Sequence, residues 1–155
     1  MTAGEYKIAP IRNGTVIDHI KPGQALNVLK ILGINENTID SSVVLAMNVF
    51  SKKGTGRKDI VKVEDKELCP TMVNKIALIS PDANIVIIRD YYTAEKYKVH
   101  VDDHIKGLAR CGNPNCITNV GEPVDPEFDV ISRDPPVLRC MYCERYLTDI
   151  TNNLL

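Results

Sequence analysis

Four cysteines dominate the chemistry this sequence can offer. Cys111 and Cys116 stand in RCGNPNCITN, Cys140 and Cys143 stand in RCMYCERYL, and 23 residues separate the two pairs. Each close pair can place two thiolates on one metal ion from a tight loop, and a hairpin across the interval would bring the second pair to the same ion. Zinc accepts four thiolates tetrahedrally without d-electron demands. Iron fits the same cage, and four unrelated free thiols are the remaining reading. Four protein ligands leave no position for water or substrate. The expected zinc is therefore structural, and its binding free energy becomes folding free energy. The fifth cysteine, Cys69, stands alone in an apolar helical pattern and is expected to be a buried, inert thiol.

Two weaker constellations lie upstream. In RKDIVKVED, Lys58, Ile60 and Lys62 share a strand face. Two ammonium groups reckoned about 7 Å apart along that strand suit an anion of spread charge such as a polyphosphate. Lys96 and Lys98 could approach from the last strand. The same pattern fits a solvated face with lysines that discourage edge-to-edge aggregation. Asp18 and His19 could hydrogen-bond ribose hydroxyls or a base edge, or form a satisfied pair at a strand end. His104, seven residues before Cys111, could in principle replace a thiolate, but four cysteines already suffice.

These residues need elements to position them. RNGTVIDHI, residues 12–20, reads as a strand, with Val16, Asp18 and Ile20 on one face and Thr15, Ile17 and His19 on the other. KPGQALNVLKILGI reads as a helix between Pro22 and Gly33. VVLAMNVFS, the SKKGTG turn and RKDIVKVED read as a hairpin. Residues 68–80 return to helical spacing, and residues 84–99 give a fourth strand, doubled back or extended into a fifth. The order β-α-β-β-α-β is a split βαβ pattern, so the fold class is α+β: a ferredoxin-like antiparallel sheet with both helices on one face. VDDHIKGLAR reads as a connector with little apolar surface. Beyond it come five prolines, four cysteines and short apolar pieces, the texture of a small β-rich module that needs a metal staple. The expected domains are residues 1–103 and 104–155.

Charge and motif content narrow the function. The net charge is −1, and residues 106–155 carry five Lys/Arg against seven Asp/Glu. Thiolate-bound zinc adds further negative charge, so a zinc-ribbon nucleic-acid adaptor, the alternative reading, would repel its own ligand. No Walker loop, Gly-x-Ser-x-Gly, Gly-x-Gly-x-x-Gly or His-Glu-x-x-His is present. No apolar run reaches the roughly 20 residues of a membrane helix, and MTAGEYKIAP lacks a signal-peptide core, so the protein is expected in the cytoplasm.

Taken together, RNGTVIDHI, GRKDIVKVED, CGNPNCITN and LRCMYCERY resemble the regulatory chain of aspartate carbamoyltransferase, from about residue 8 to 150. The resemblance implies a non-catalytic chain in pyrimidine synthesis. Its dimers would bridge catalytic trimers in a complex of six catalytic and six regulatory chains. It implies CTP and ATP as allosteric effectors of the N-terminal domain. Ile11, Val16, Asp18 and His19 would line the nucleotide site from the first strand. Lys58, Lys62 and Lys96 would serve the triphosphate and nearby polar groups, and Ile88 and Tyr91 would pack around the base. It makes Cys111, Cys116, Cys140 and Cys143 the zinc ligands. Asn113, Asn115, Tyr142 and Glu144 are expected to meet the catalytic chain. Val86 departs from the asparagine of well-known bacterial members, which bears on nucleotide preference.

Overall fold

The structure, a computed structural model, describes residues 11–51 and 56–155. The N-terminal MTAGEYKIAP segment and most of the SKKGTG turn lie outside the described residues.

The first half is one five-stranded antiparallel sheet of order β2-β3-β1-β4-β5. Its strands are β1 (Gly14–Ile20), β2 (Val43–Phe50), β3 (Arg57–Glu64), β4 (Asn84–Arg89) and β5 (Tyr92–Lys98), with helices α1 (Ala25–Ile31) and α2 (Pro70–Ile79) between them. Alternation sends Thr15 and Ile17, Val61 and Val63, and Ile85 and Ile87 into the core. Ala25, Val28 and Leu32 cover them from α1, and Ile76, Ala77 and Ile79 from α2. Both helices therefore lie on one face, which leaves Val16, Lys62 and Val86 on the other. The run at 84–99 doubles back in a two-residue turn, Asp90–Tyr91, with positive φ at both residues, 50° and 70°.

Two expectations need correction here. Ile20 does not share a face with Val16 and Asp18. The register steps from Ile17↔Val61 to Ile20↔Asp59, three residues against two, so Asp18 and His19 form a bulge and Ile20 turns into the core at 1% exposure. His19 adopts a positive φ of 59° there. Cys69 is not buried. α2 begins at Pro70, which fits the first helical position, and this makes Cys69 an exposed N-cap residue in extended conformation.

The second half is a four-stranded antiparallel sheet of order β6-β7-β8-β9: β6 (His104–Lys106), β7 (Glu127–Arg133), β8 (Pro136–Cys140) and β9 (Tyr146–Leu147). Its small core holds Ile105, Phe128, Leu138, Leu147 and Ile150. The stretch read as a bare connector contributes more than expected. Val101, Ile105 and Ala109 are all buried, and residues 104–106 form an edge strand. Arg133 donates to the Val101 carbonyl at 3.1 Å and pairs with Asp103 at 2.5 Å, tying the β7–β8 hairpin to this stretch.

His104 lies on β6, away from the cysteines. Its Nδ1 is 3.2 Å from Asp129 and its Nε2 is 2.9 Å from Glu127. Only the imidazolium donates on both sides, so the hydrogen bonds to Asp129 and then Glu127 hold its pKa above the usual 6.5. A raised folded-state pKa gives a contribution that is complete below the unfolded pKa and fades as pH climbs through the folded one. Urea midpoints of the metal-loaded chain should therefore fall as pH is raised from below 6.5. In His104→Gln that part of the pH dependence should vanish.

Candidate metal centre and ligand-binding face

The four cysteines converge as the spacing predicts. The first pair encloses a loop that leads into a 3-10 turn at Ile117–Asn119, and the second pair begins at the end of β8. The β7–β8 hairpin carries Cys140 to Cys116 at a sulfur–sulfur distance of 3.7 Å, and Cys143 lies 3.6 Å from Cys111. All four sulfurs fall within 4.8 Å of one another. Four sulfurs at about 2.3 Å from a central zinc would lie about 3.8 Å apart, so the cage has the size of a tetrahedral thiolate site. Burial pushes the Cys111 thiol up to about 12. Burial also acts on Cys143, but the Arg145 amide and neighbouring side chains outweigh it and hold that thiol at about 7. Sulfurs this close become thiolates together only around a cation.

The loop supplies its own outer contacts. Backbone amides of Asn113 and Tyr142 reach Cys111 and Cys140 sulfurs at 3.5 and 3.4 Å, and the Thr118 hydroxyl donates to Cys116 at 3.2 Å. Asn119, which the sequence reading passed over, donates its amide to the carbonyls of Cys111 and Asn113 at 2.8 and 2.7 Å. An asparagine just after the second ligand of a turn was the available signal, since short amides commonly satisfy turn carbonyls.

The four expected interface residues differ in how free they are. Asn115 and Tyr142 are exposed. Asn113 is half-buried, and its side-chain oxygen accepts the Asn115 amide at 3.1 Å, so it shapes the tip from within. Glu144 is exposed, has a positive φ of 64° and pairs with Arg139 at 3.0 Å. Around them Ile117, Val120, Met141 and Tyr146 are also exposed, an apolar fringe beside the metal loops.

The helix-free face of the first sheet holds the other candidate site. Register lines up one rung across all five strands: Val44, Lys62, Val16, Val86 and Lys96. Paired residues share a face, so two lysines flank an apolar strip of two valines, with Cα atoms about 14 Å apart across three strand spacings. Among the described residues, neither lysine is in an ion pair. Ile60 and Ile88 border the strip and are half-buried. Lys58 and Lys62 are four residues apart, roughly 13 Å along the strand, so they do not form the close ammonium pair expected from the sequence.

Lys58 is committed instead to Asp18, with Nζ to Oδ1 at 2.9 Å, and the same oxygen accepts the His19 amide at 2.6 Å. Burial pushes the Asp18 carboxyl up, but the Lys58 and His19 hydrogen bonds prevail and hold it below the usual carboxylate range. The His19 ring stands 3.4 Å from the Ser51 hydroxyl. Ile11 is buried beside Gly14 at the start of β1, and Tyr91 sits exposed at the β4–β5 turn, so both lie at one end of the sheet. The sheet thus brings Val16, Asp18, Lys62, Val86, Ile88 and Lys96 onto one face, and it leaves Tyr91 at the rim.

A ferredoxin-like unit with an open cationic face, followed by a four-cysteine metal-binding module, defines a two-part binding protein. Residues 6–100 match the family model described as aspartate carbamoyltransferase regulatory chain, allosteric domain, and residues 103–152 match the one described as its metal binding domain. The chain belongs to the aspartate carbamoyltransferase regulatory chain family. It is 56% identical over 149 residues to the aspartate carbamoyltransferase regulatory chain of Methanothrix thermoacetophila, covering 96% of both chains. It is 55% identical over 145 residues to that of Pyrococcus abyssi, covering 94% of both. With that of Methanothermobacter thermautotrophicus the identity is 52% over 143 residues, covering 92% of this chain and 90% of the relative. The chain is thus a regulatory chain with an allosteric and a metal-binding domain. No helix among the described residues is long and apolar enough to cross a membrane.

Proposed function

We propose that this chain is the non-catalytic effector-binding subunit of aspartate carbamoyltransferase. CTP and ATP compete for the helix-free face of the first sheet, and one zinc ion per chain holds the loops that dock on a catalytic chain. The observation that carries the reading is the rung in which Lys62 and Lys96 flank Val16 and Val86: cationic ends for a phosphate chain and an apolar strip for a sugar and base. Val16, Asp18, Lys62, Ile88 and Lys96 face the nucleotide, with Asp18 near the ribose. His19, Lys58, Ile11 and Tyr91 complete its borders. Zinc is assigned because it takes four thiolates tetrahedrally without d-electron demands; iron, which fits the same cage, would colour the protein red where zinc leaves it colourless. Residues 1–103 form the effector domain and residues 104–155 the zinc domain. Asn115 and Tyr142 meet the catalytic chain directly, Asn113 shapes their loop, and Glu144 contributes from the second knuckle; the apolar fringe at Ile117, Val120 and Met141 supports a protein partner there. In this reading the chain dimerises and joins catalytic trimers, six chains of each kind, in the cytoplasm.

The two nucleotides differ in base size. Each therefore sets the strand contacts differently and biases the assembly by a coupling of roughly 1–3 kcal/mol per site. The test is co-purification with a catalytic chain, followed by carbamoyl transfer with and without CTP and ATP. Activity of the complex should respond to at least one nucleotide, whereas the catalytic chain alone should not. A complex that forms but is indifferent to both nucleotides would overturn the effector assignment.

A further inference from the structure

Asp59 is a fully buried acid, at 0% exposure, in a sheet whose other core positions are almost all apolar. Its neighbours explain its presence. β3 runs straight past it, while both flanking strands carry an extra residue at its level. On the β1 side Ile17↔Val61 is followed by Ile20↔Asp59; on the β2 side Ala46↔Ile60 is followed by Val49↔Lys58. The extra residues are held at positive φ, 59° for His19 and 56° for Asn48, conformations that cost energy unless something pins them. Asp59 does the pinning directly on one side. Its Oδ1 accepts the Asn48 amide at 2.7 Å, at the heart of the β2 bulge. Its Oδ2 accepts the amides of Gly23 at 2.9 Å and Ala25 at 3.2 Å, which fixes the turn that leaves β1 right after the His19 bulge. One carboxylate therefore holds the two segments that frame Asp18 and His19.

We infer that Asp59 is a positioning residue for the ligand-binding face: by anchoring the β2 bulge and the turn that follows the β1 bulge it sets the Asp18–Lys58 pair and the His19 ring where a bound ligand meets them. The inference rests on the effector reading for the ligand's identity but not for the geometry. Asp59 itself points into the core and touches no ligand. Only an acceptor on both oxygens serves the site. In Asp59→Asn one oxygen still accepts, but in either flip the amide nitrogen meets a donor, the Asn48 N–H or the Gly23 and Ala25 N–H groups.

The experiment is carbon-detected NMR titration of Asp18 in the zinc-loaded wild type and in Asp59→Asn, with calorimetric CTP binding to both. Loss of position releases Asp18 from Lys58 and the His19 amide, so its pKa should rise toward the ordinary carboxylate range. Removing the Asp59 charge without moving anything would push Asp18 the other way, since a nearby negative charge raises a carboxyl's pKa. CTP should bind roughly tenfold more weakly to the variant. An Asp18 titration that is unchanged or lowered in a folded Asp59→Asn chain overturns the inference. A wild type that binds no CTP sinks the effector reading instead, and the Asp18 titration still decides the role of Asp59. Should Asp59→Asn not fold, Asp59→Glu, which keeps the charge but displaces its oxygens, is read the same way. If neither folds, Asp59 is a determinant of the fold and the positioning role is overturned.

Discussion

Replacing Cys140 by serine should strip the chain of its metal and unfold the second sheet while leaving the first in place. Cys140 is fully buried, ends β8 and faces Cys116 across 3.7 Å. Its backbone amide is also bonded to the Arg145 carbonyl at 2.9 Å, so the knuckle forms around it. Structural zinc in small modules contributes an apparent free energy of about 10–16 kcal/mol at neutral pH, as large as the whole net stability of an ordinary domain. The apolar core of this module is a handful of side chains around Phe128 and Leu138, too small to hold about 50 residues unaided. The first sheet contributes most of the shared buried cluster, under α1 and α2, and should persist. Metal analysis should read about one zinc per wild-type chain and close to none in the variant. Amide spectra should lose the dispersed signals of residues 104–155 but keep those of residues 14–98. A strong chelator should reproduce both changes in the wild type. A Cys140→Ser chain that kept the second sheet's spectrum after chelation would refute a folding role for the metal.

The second large effect belongs to Lys62. Replacing it by alanine should weaken CTP and ATP binding by about 1.5–3 kcal/mol, the usual worth of a hydrogen bond to a charged group, which is roughly ten- to a hundredfold. Lys62 is half-buried in mid-sheet beside Val16 and is in no ion pair with a described residue, so its charge is available to a ligand. Lys58 offers a contrast. Its charge is already matched by Asp18 at 2.9 Å, and Lys58→Ala should act mainly by freeing that carboxylate. Lys96 stands at the far end of the same rung on an exposed edge strand, where water competes more strongly, so its removal should cost less than that of Lys62. Calorimetry on zinc-loaded chains checks the order, with metal content as the control for folding. Binding by Lys62→Ala equal to that of the wild type would remove the rung from the ligand site.

The two results differ in how far the sequence foretold them. The cysteine cage was legible because ligand spacing is local: two short loops dictate two thiolate pairs, and a hairpin is the simplest way to join them. The split βαβ order was legible for a similar reason, since a period of two or of 3.6 is written in consecutive side chains. The lysine face was only half legible. Alternation put Lys58, Ile60 and Lys62 on one side of a strand, but nothing in the sequence told which lysine would be neutralised by Asp18 and which left without an ion pair among the described residues. Cys69 was misread because an apolar run does not show where a helix begins, and Pro70 set that boundary one residue later.

The four-cysteine cluster, the alternation of strands and helices and, by resemblance, the family were all written in the chain itself. The shape of the helix-free face came from long-range packing alone. The bulges in β1 and β2 depend on register with β3, a strand about 40 residues from the first in the chain, and on a buried carboxylate that satisfies amides from two other segments. Those pairings turn Ile20 inward, lift Asp18 and His19 toward Lys58 and align Lys62, Val16, Val86 and Lys96 in one row. The energetic cost of a bulge is local, but its compensation comes from residues distant in sequence, and no window of neighbouring residues contains both.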